Sequence, residues 1–265
     1  MLTTTMDALL HIARMAARTS CEVIRPYYGK VLTEFKDDLS PITEADRAAN
    51  RVLIEHLLGT GFPILSEESD GIPLPYPEKL WVIDPLDGTK GFINETDDFS
   101  VMVALLEAGR PTLAVVDAPM LDKCYFAVRG GGAFIEDGHG VRPLKVSNRT
   151  TPSLRGVMSV NHAAPYMHGV CEALEVEEII SIGSVGIKAG YISEDIGDFF
   201  LTLGALGEWD VCAPELILTE AGGKVTDREG APIAYGNSSH RIQRGVVFSN
   251  SVSHDQIITA LARIL

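Results

Sequence analysis

The sequence predicts a layered α/β protein in which an antiparallel half is followed by an alternating α/β half. Three observations predict it. The chain opens on apolar positions at helical spacing and then alternates helix and strand signals. The middle third holds four apolar stretches, V-M-V-A-L-L-E, T-L-A-V-V-D-A, C-Y-F-A-V-R and G-A-F-I-E-D, broken by Gly and Pro as in a β-meander. The last third returns to alternation. Sheets of these two kinds bury their apolar faces under helices, which gives a layered sandwich.

The first helix is expected over residues 6–29, ending near Gly29, and a strand over 31–36. Asp37 and Asp38 then turn the chain, and a second helix runs from near Thr43 to about Leu58. Short apolar strands follow at 62–66 and 80–84, the latter ending in Asp84 before a Pro85-Leu86-Asp87-Gly88 turn. Thr89 opens a short helix, and the meander comes next. Strands are then expected near 156–160, 178–182, 197–203, 224–226 and 245–249, with helices near 186–194, 209–221 and 252–264. A composition shift in G-V-R-P-L-K-V-S-N-R-T-T-P-S-L-R divides the chain into a 1–145 half and a 146–265 half.

With 265 residues, 46% of them hydrophobic, the chain suits one large domain or two packed halves with a full core. No apolar run is long enough to span a membrane. The N-terminal segment lacks a basic flank before a long apolar stretch, so it reads as a helix and not as a signal peptide, and a cytoplasmic location is expected. Cys21, Cys124, Cys171 and Cys212 are scattered, which argues against structural zinc and against a disulfide framework. The net charge of −14 disfavours nucleic-acid and anionic-membrane partners. It also repels phosphorylated substrates, unless cations sit between the two anions.

The segment L-W-V-I-D-P-L-D-G-T-K-G-F carries the chemistry. Asp84 and Asp87 at a strand end can converge on one point, and converging carboxylates repel unless a cation lies between them. Hard oxygen ligands suit Mg²⁺ over zinc. The Gly88 and Thr89 amides can meet an anion at a helix start. By composition alone the same residues also make a turn. Glu67 and Glu68 follow the 62–66 strand and also read as a solvated acidic loop. Asp210 sits near the start of an amphipathic helix ending at Gly222-Gly223, where it also reads as an N-cap. Thr43 and Asp46 have capping-box spacing.

Together and in this order, these segments resemble the inositol monophosphatase-like superfamily of Mg²⁺-dependent, lithium-sensitive phosphatases. The resemblance runs over essentially the whole chain. D-P-L-D-G-T is close to one signature of that superfamily, and W-D-V-C-A-P-E-L-I-L-T-E-A-G-G to a second. The Lys after D-P-L-D-G-T, the W-D-V-C-A-P-E run and S-P-I-T-E-A-D are most similar to the 3'(2'),5'-bisphosphate nucleotidase (CysQ-type) branch. Inositol monophosphatases more often carry T-N-F after the Gly, and a substrate-contacting acid where Leu203 stands here.

The resemblance implies an αβαβα sandwich of the inositol monophosphatase and fructose-1,6-bisphosphatase type, binding two or three Mg²⁺ ions. It implies metal ligation by Glu67, Asp84, Asp87, Asp210 and the Leu86 carbonyl, with Glu68 behind them. Asp46 and Thr89 would take a proton from the attacking water, and Gly88, Thr89, Lys188 and Asp210 would face the substrate. The implied substrate is adenosine 3',5'-bisphosphate, with 3'-phosphoadenylyl sulfate beside it. Inositol phosphate or fructose bisphosphate, on the same metal site, is the alternative. Lys188, in G-S-V-G-I-K, also reads as a solvent-facing helix lysine. Thr202 stands where several nucleotidases carry an Arg, and Arg241 or Arg244 can compensate. His139, His162 and His168 lack ligand-like spacing. The D-x-x-D spacing disfavours the aspartyl-phosphate phosphatases, whose two aspartates are one residue apart. No P-loop occurs. A non-catalytic metal- or phosphate-binding module is the reading from another class. Many relatives form homodimers, so a homodimer is an expectation.

Overall fold

Thr5 opens the first helix, α1 (Met6–Ile24), by accepting a hydrogen bond from the Ala8 amide at 3.3 Å. Leu9, Ala13, Ala16, Ala17, Ser20, Cys21 and Ile24 form its buried stripe. The computed structural model describes residues 5–30, 33–35, 41–69, 71–159 and 165–265. The helix stops short of Gly29 because Pro26 has no amide hydrogen to continue it, and a single 3₁₀ turn (Arg25–Tyr27) follows. Next come the paired strands β1 (Glu34–Phe35) and β2 (Pro41–Ile42), then α2 (Glu44–Leu58). The expected turn at Asp37-Asp38 lies outside the described residues. The chain continues through β3 (Ile64–Ser66), β4 (Lys79–Asp87) and α3 (Thr89–Ile93). The meander is β5 (Ser100–Glu107), β6 (Arg110–Ala118), β7 (Lys123–Val128), β8 (Gly132–Asp137) and β9 (Gly140–Pro143). Strands β3 to β9 lie side by side in sequence order, antiparallel throughout except for the parallel β3–β4 pair.

The remainder is β10 (Arg155–Met158), α4 (Pro165–Ala173), β11 (Glu178–Ser181), α5 (Val185–Ser193), β12 (Phe199–Thr202), β13 (Leu206–Gly207), α6 (Glu208–Glu220), β14 (Lys224–Thr226), β15 (Arg241–Ile242), β16 (Val246–Ser249) and α7 (His254–Ile264). The second sheet has the order β11-β10-β12-β16-β14, with β11, β10 and β12 parallel and β16 antiparallel to both its neighbours.

Strand periodicity of two sorts the core into layers. Trp81 and Ile83 point to one face of the first sheet, where they meet Leu9, Ala13, Leu53 and Leu57 of α1 and α2. Leu80 and Val82 point to the other face and share a core with α5, α6, Phe200 and Phe248. Beyond the second sheet, Val170 of α4 and Ile257 and Leu261 of α7 cover Phe199, Leu201 and Val247. The order is helices, sheet, helices, sheet, helices: the αβαβα sandwich.

Further differences from expectation lie in α6, α4 and β9. Helix α6 is not amphipathic: lying between two sheets, it buries Val211, Cys212, Ala213, Leu216, Ile217 and Leu218 on nearly all sides. Helix α4 is short and contains Gly169, and β9 is exposed along its whole length, so neither shows a periodic apolar pattern. Gly190 lets α5 approach the meander closely, since a Cβ there would stand 2.5 Å from the Tyr125 ring.

Candidate active site

Strand β4 does not end at Asp84. Its pairing with β5 runs Asp84↔Met102 and then Asp87↔Ser100, three residues against two. Residues three apart on a regular strand face opposite sides, and the extra residue of this bulge returns Asp87 to the side of Asp84. That side is the one facing α5 and α6. Asp210, at the third position of α6, reaches the same point, and one carboxylate oxygen from each of Asp84, Asp87 and Asp210 lies within 4.8 Å of the others. The turn comes at Gly88, in the left-handed region (φ 91°), where a Cβ would stand 2.8 Å from the Asp98 carbonyl oxygen.

Each carboxylate is oriented by the backbone around it. The Leu86 amide donates to Asp84 at 3.0 Å, and the Gly207 amide to Asp210 at 2.6 Å. Asp87 Oδ2 accepts from Ser184 Oγ and from the Gly186 amide (2.8 Å). Asp210 is therefore not the N-cap of α6; from the third helical position its carboxylate reaches back to the amide of the N-cap Gly207. Burial raises the pKa of all three. Asp84 is pushed well up by burial and then by the charges of Glu67, Asp87 and Asp210. Asp210 rises to about 8 by burial and by Glu67 and Asp87. Asp87 also rises by burial, against the Ser184 and Gly186 bonds. Such a desolvated set of like charges calls for a cation. Its donors are all oxygens, which fits Mg²⁺ or another hard ion. Glu67, at the end of β3, acts on the cluster through its charge, and the half-buried Glu68 follows it, its amide donating to Ser66 Oγ at 3.1 Å. The Leu86 carbonyl accepts from Thr89 Oγ1 at 3.1 Å, leaving a second lone pair.

Asp46 divides its two oxygens. Oδ2 accepts from the Thr43 amide (2.7 Å) and hydroxyl (2.6 Å), completing the capping box of α2. Oδ1 lies 3.3 Å from Thr89 Oγ1, whose single proton it shares with the Leu86 carbonyl. Capping thus accounts for half of Asp46, and the other half faces the D-P-L-D-G-T turn. Burial raises its pKa as well. A cleft of about 680 Å³ opens above these groups, lined by Glu67, Asp87, Gly88, Thr89, Lys188 and Asp210 among others.

The family model described as "Inositol monophosphatase family" matches residues 5–265. The chain belongs to this family. A 3'(2'),5'-bisphosphate nucleotidase CysQ of Aggregatibacter actinomycetemcomitans is 35% identical, over 87% of each chain. A fructose-1,6-bisphosphatase/inositol-1-monophosphatase of Thermotoga maritima is 32% identical, over 88% of this chain and 86% of the relative. Among solved structures, the Thermotoga maritima IMPase superposes with a TM-score of 0.84 at 28% identity, covering 98% of both chains. The inositol monophosphatase family is one of metal-dependent phosphatases, and the acidic cluster can hold the cation.

In this member of the family, Lys188 is not a solvent-facing helix lysine. It is fully buried, donates from Nζ to the Gly183 carbonyl at 2.7 Å and lies 4.8 Å above the Phe200 ring. Burial lowers its pKa to about 8, against the pull of Asp87, Asp98 and Asp210. Thr202 lines the cleft. The Arg241 charge reaches Asp210, whereas Arg244 is exposed and pairs with Glu229 at 2.7 Å. His139 and His168 are exposed, and His162 lies outside the described residues. Helix α3 is a single turn, so its dipole adds little to the Gly88 and Thr89 amides. Sequence reasoning missed Ser184 and Ser100, which bond the Asp87 carboxylate, and Asp98, which holds the Gly183 amide at the cleft wall. The only sequence signal for Ser184 is its N-cap position in G-S-V-G. Among the described residues no helix is long and apolar enough to cross a membrane.

Proposed function

We propose that the protein is a Mg²⁺-dependent phosphomonoester hydrolase that removes the 3'-phosphate of adenosine 3',5'-bisphosphate, and of 3'-phosphoadenylyl sulfate. The observation that carries the hydrolase reading is the meeting of Asp84, Asp87 and Asp210 beside a cleft lined by Thr89, with the buried Asp46 bonded behind it. The nucleotide is supported by the relative named for that activity and by the Lys90 that follows D-P-L-D-G-T. Glu67, Asp84, Asp87, Asp210 and the Leu86 carbonyl would hold the ions. When bound, Mg²⁺ neutralises the phosphoryl oxygens and lowers the pKa of a coordinated water.

The chain's own residues do the rest. Thr89 Oγ1 would accept a proton from the attacking water as its own proton passes to Asp46 Oδ1. Asp46 stays in place because Thr43 grips its other oxygen. Gly88 and Thr89 border the phosphoryl group. Lys188, in the cleft wall, is held by the Gly183 carbonyl and sets its positive charge beside a substrate anion. The cleft lies between a 1–145 half, supplying Asp46 to Thr89, and a 146–265 half, supplying Lys188 and Asp210. Four free thiols support a reducing, cytoplasmic setting.

Phosphate release from adenosine 3',5'-bisphosphate, inositol 1-phosphate and fructose 1,6-bisphosphate, compared with Mg²⁺ and with Li⁺ added, tests this. The expected result is a higher kcat/KM for the nucleotide and inhibition by Li⁺. The second reading, inositol phosphate or fructose bisphosphate, is favoured by the Thermotoga maritima relative and by Thr202 in place of an Arg. A preference for either of those substrates establishes it in place of the nucleotide.

A further inference from the structure

The Asp87 carboxylate is held from the other half of the chain, and that hold is itself anchored. Ser184 Oγ donates to Asp87 Oδ2 and also caps α5 by accepting from the Ile187 amide at 3.0 Å. One residue earlier, Gly183 is gripped by both its backbone polar groups. Its N–H donates to Asp98 Oδ2, and its carbonyl accepts from Lys188 Nζ at 2.7 Å. Asp98 is 5% exposed, and its other oxygen accepts from the Thr96 hydroxyl. Two glycines close around this carboxylate. A Cβ on Gly183 would stand 2.7 Å from Oδ2, and a Cβ on Gly91 would collide with Oδ1. Gly91 belongs to α3, just after the D-P-L-D-G-T turn, and Gly183 to the loop before α5. Asp98 is therefore wedged between the two segments that build the site.

The geometry points to Asp98 as a positioning residue that fixes Gly183, and through Ser184 sets the Asp87 carboxylate in the metal site. The inference rests on the reading of Asp87 as a metal ligand. A carboxylate suits this place because both its neighbours donate to it, one to each oxygen. Asn has the same shape but only one accepting atom and no charge.

The test is Mn²⁺ binding to the substrate-free protein, followed by electron paramagnetic resonance, with melting temperature measured in parallel. Residues behind a metal ligand typically change metal affinity by roughly 10–100-fold, and Asp98→Asn is expected to weaken Mn²⁺ binding in that range. Ser184→Ala removes the relay, so the double variant should lose little beyond Ser184→Ala alone. Wild-type Mn²⁺ affinity in Asp98→Asn, or fully additive losses in the double variant, overturns the inference, whatever the melting temperature does. Thr96→Val, at an exposed position, perturbs Asp98 more gently. If Asp98→Asn does not fold, Thr96→Val must still weaken Mn²⁺ binding by a smaller factor, and unchanged affinity overturns the inference. Asp87→Asn is the control: if it binds Mn²⁺ like wild type, the metal reading of Asp87 fails first. If Asp87→Asn loses binding while Asp98→Asn keeps it, only the positioning role fails.

Discussion

Replacing Asp210 by Asn is expected to raise the melting temperature of the metal-free protein and to remove its response to metal. The structure sets the size of the effect. The Asp210 carboxyl has a pKa of about 8 in the folded chain against a reference of 3.8, raised by burial and by Glu67 and Asp87. An acid whose folded pKa lies above its unfolded one takes up a proton on folding between those values, so stability falls as pH rises through that window. Asp84, Asp87 and Asp210 share this proton uptake, so across the window the loss is on the order of 1 kcal/mol per pH unit. Asn needs no proton and keeps an acceptor for the Gly207 amide, so it avoids that loss. For a chain of this size each kcal/mol is worth roughly 2 °C, so the gain is a few degrees in Tm. Calorimetry in chelator from pH 4 to 8 should show the variant's advantage growing with pH. Added Mg²⁺ should stabilise the wild type and leave the variant unmoved, with turnover lower by roughly 10²–10⁴-fold, the several kcal/mol that a metal contributes. A variant no more stable than wild type in chelator at pH 7 would refute the reasoning.

Three further expectations concern other parts of the site and its support. Asp46→Asn should lower kcat by roughly 10²–10⁴-fold, the usual worth of a positioned base, while half-maximal Mg²⁺ activation stays near wild type; a shift in metal requirement instead of kcat would count against the proton-accepting role. Because the Lys188 ammonium has a pKa lowered to about 8 by burial, it loses its charge as pH rises through that value. KM for an anionic substrate should therefore climb above pH 8 in the wild type, whereas Lys188→Gln should show a raised KM that is flat from pH 7 to 9. Gly190→Ala places a methyl group 2.5 Å from the buried Tyr125 ring and should cost about 1–3 kcal/mol in denaturant unfolding, with kcat per folded molecule unchanged.

Most strands and long helices were legible because their apolar patterns are clean: the continuous apolar runs of β4 to β7, buried on both faces, and the stripe of α1 read directly into layers. The D-P-L-D-G-T and W-D motifs also named Asp84, Asp87 and Asp210, the carboxylates that the fold brings together. What the sequence did not show was how Asp84 and Asp87 come to face the same way, since the bulge depends on pairing with β5. Lys188 was ambiguous because its burial depends on Phe200, a residue on a different element that only the fold brings near. Ser184 and Asp98 carry no motif of their own, and their significance lies in bonds to partners from the other half of the chain. Helix α4 and strand β9 lacked a pattern for a related reason: one is too short for a full stripe, the other has no buried face.

The placement of α6 has a consequence for how the protein comes into being. Asp84 and Asp87 lie on one strand and can be brought near each other by local pairing with β5. Asp210 rides on a helix that is apolar on nearly every side and has no comfortable resting place until both sheets enclose it. Contacts between parts distant in sequence form late and slowly. A chain caught half-built would therefore be nearly blind to metal, and the ion can act as a seal on the finished stack, favouring only molecules in which the two sheets have already closed on their shared helix.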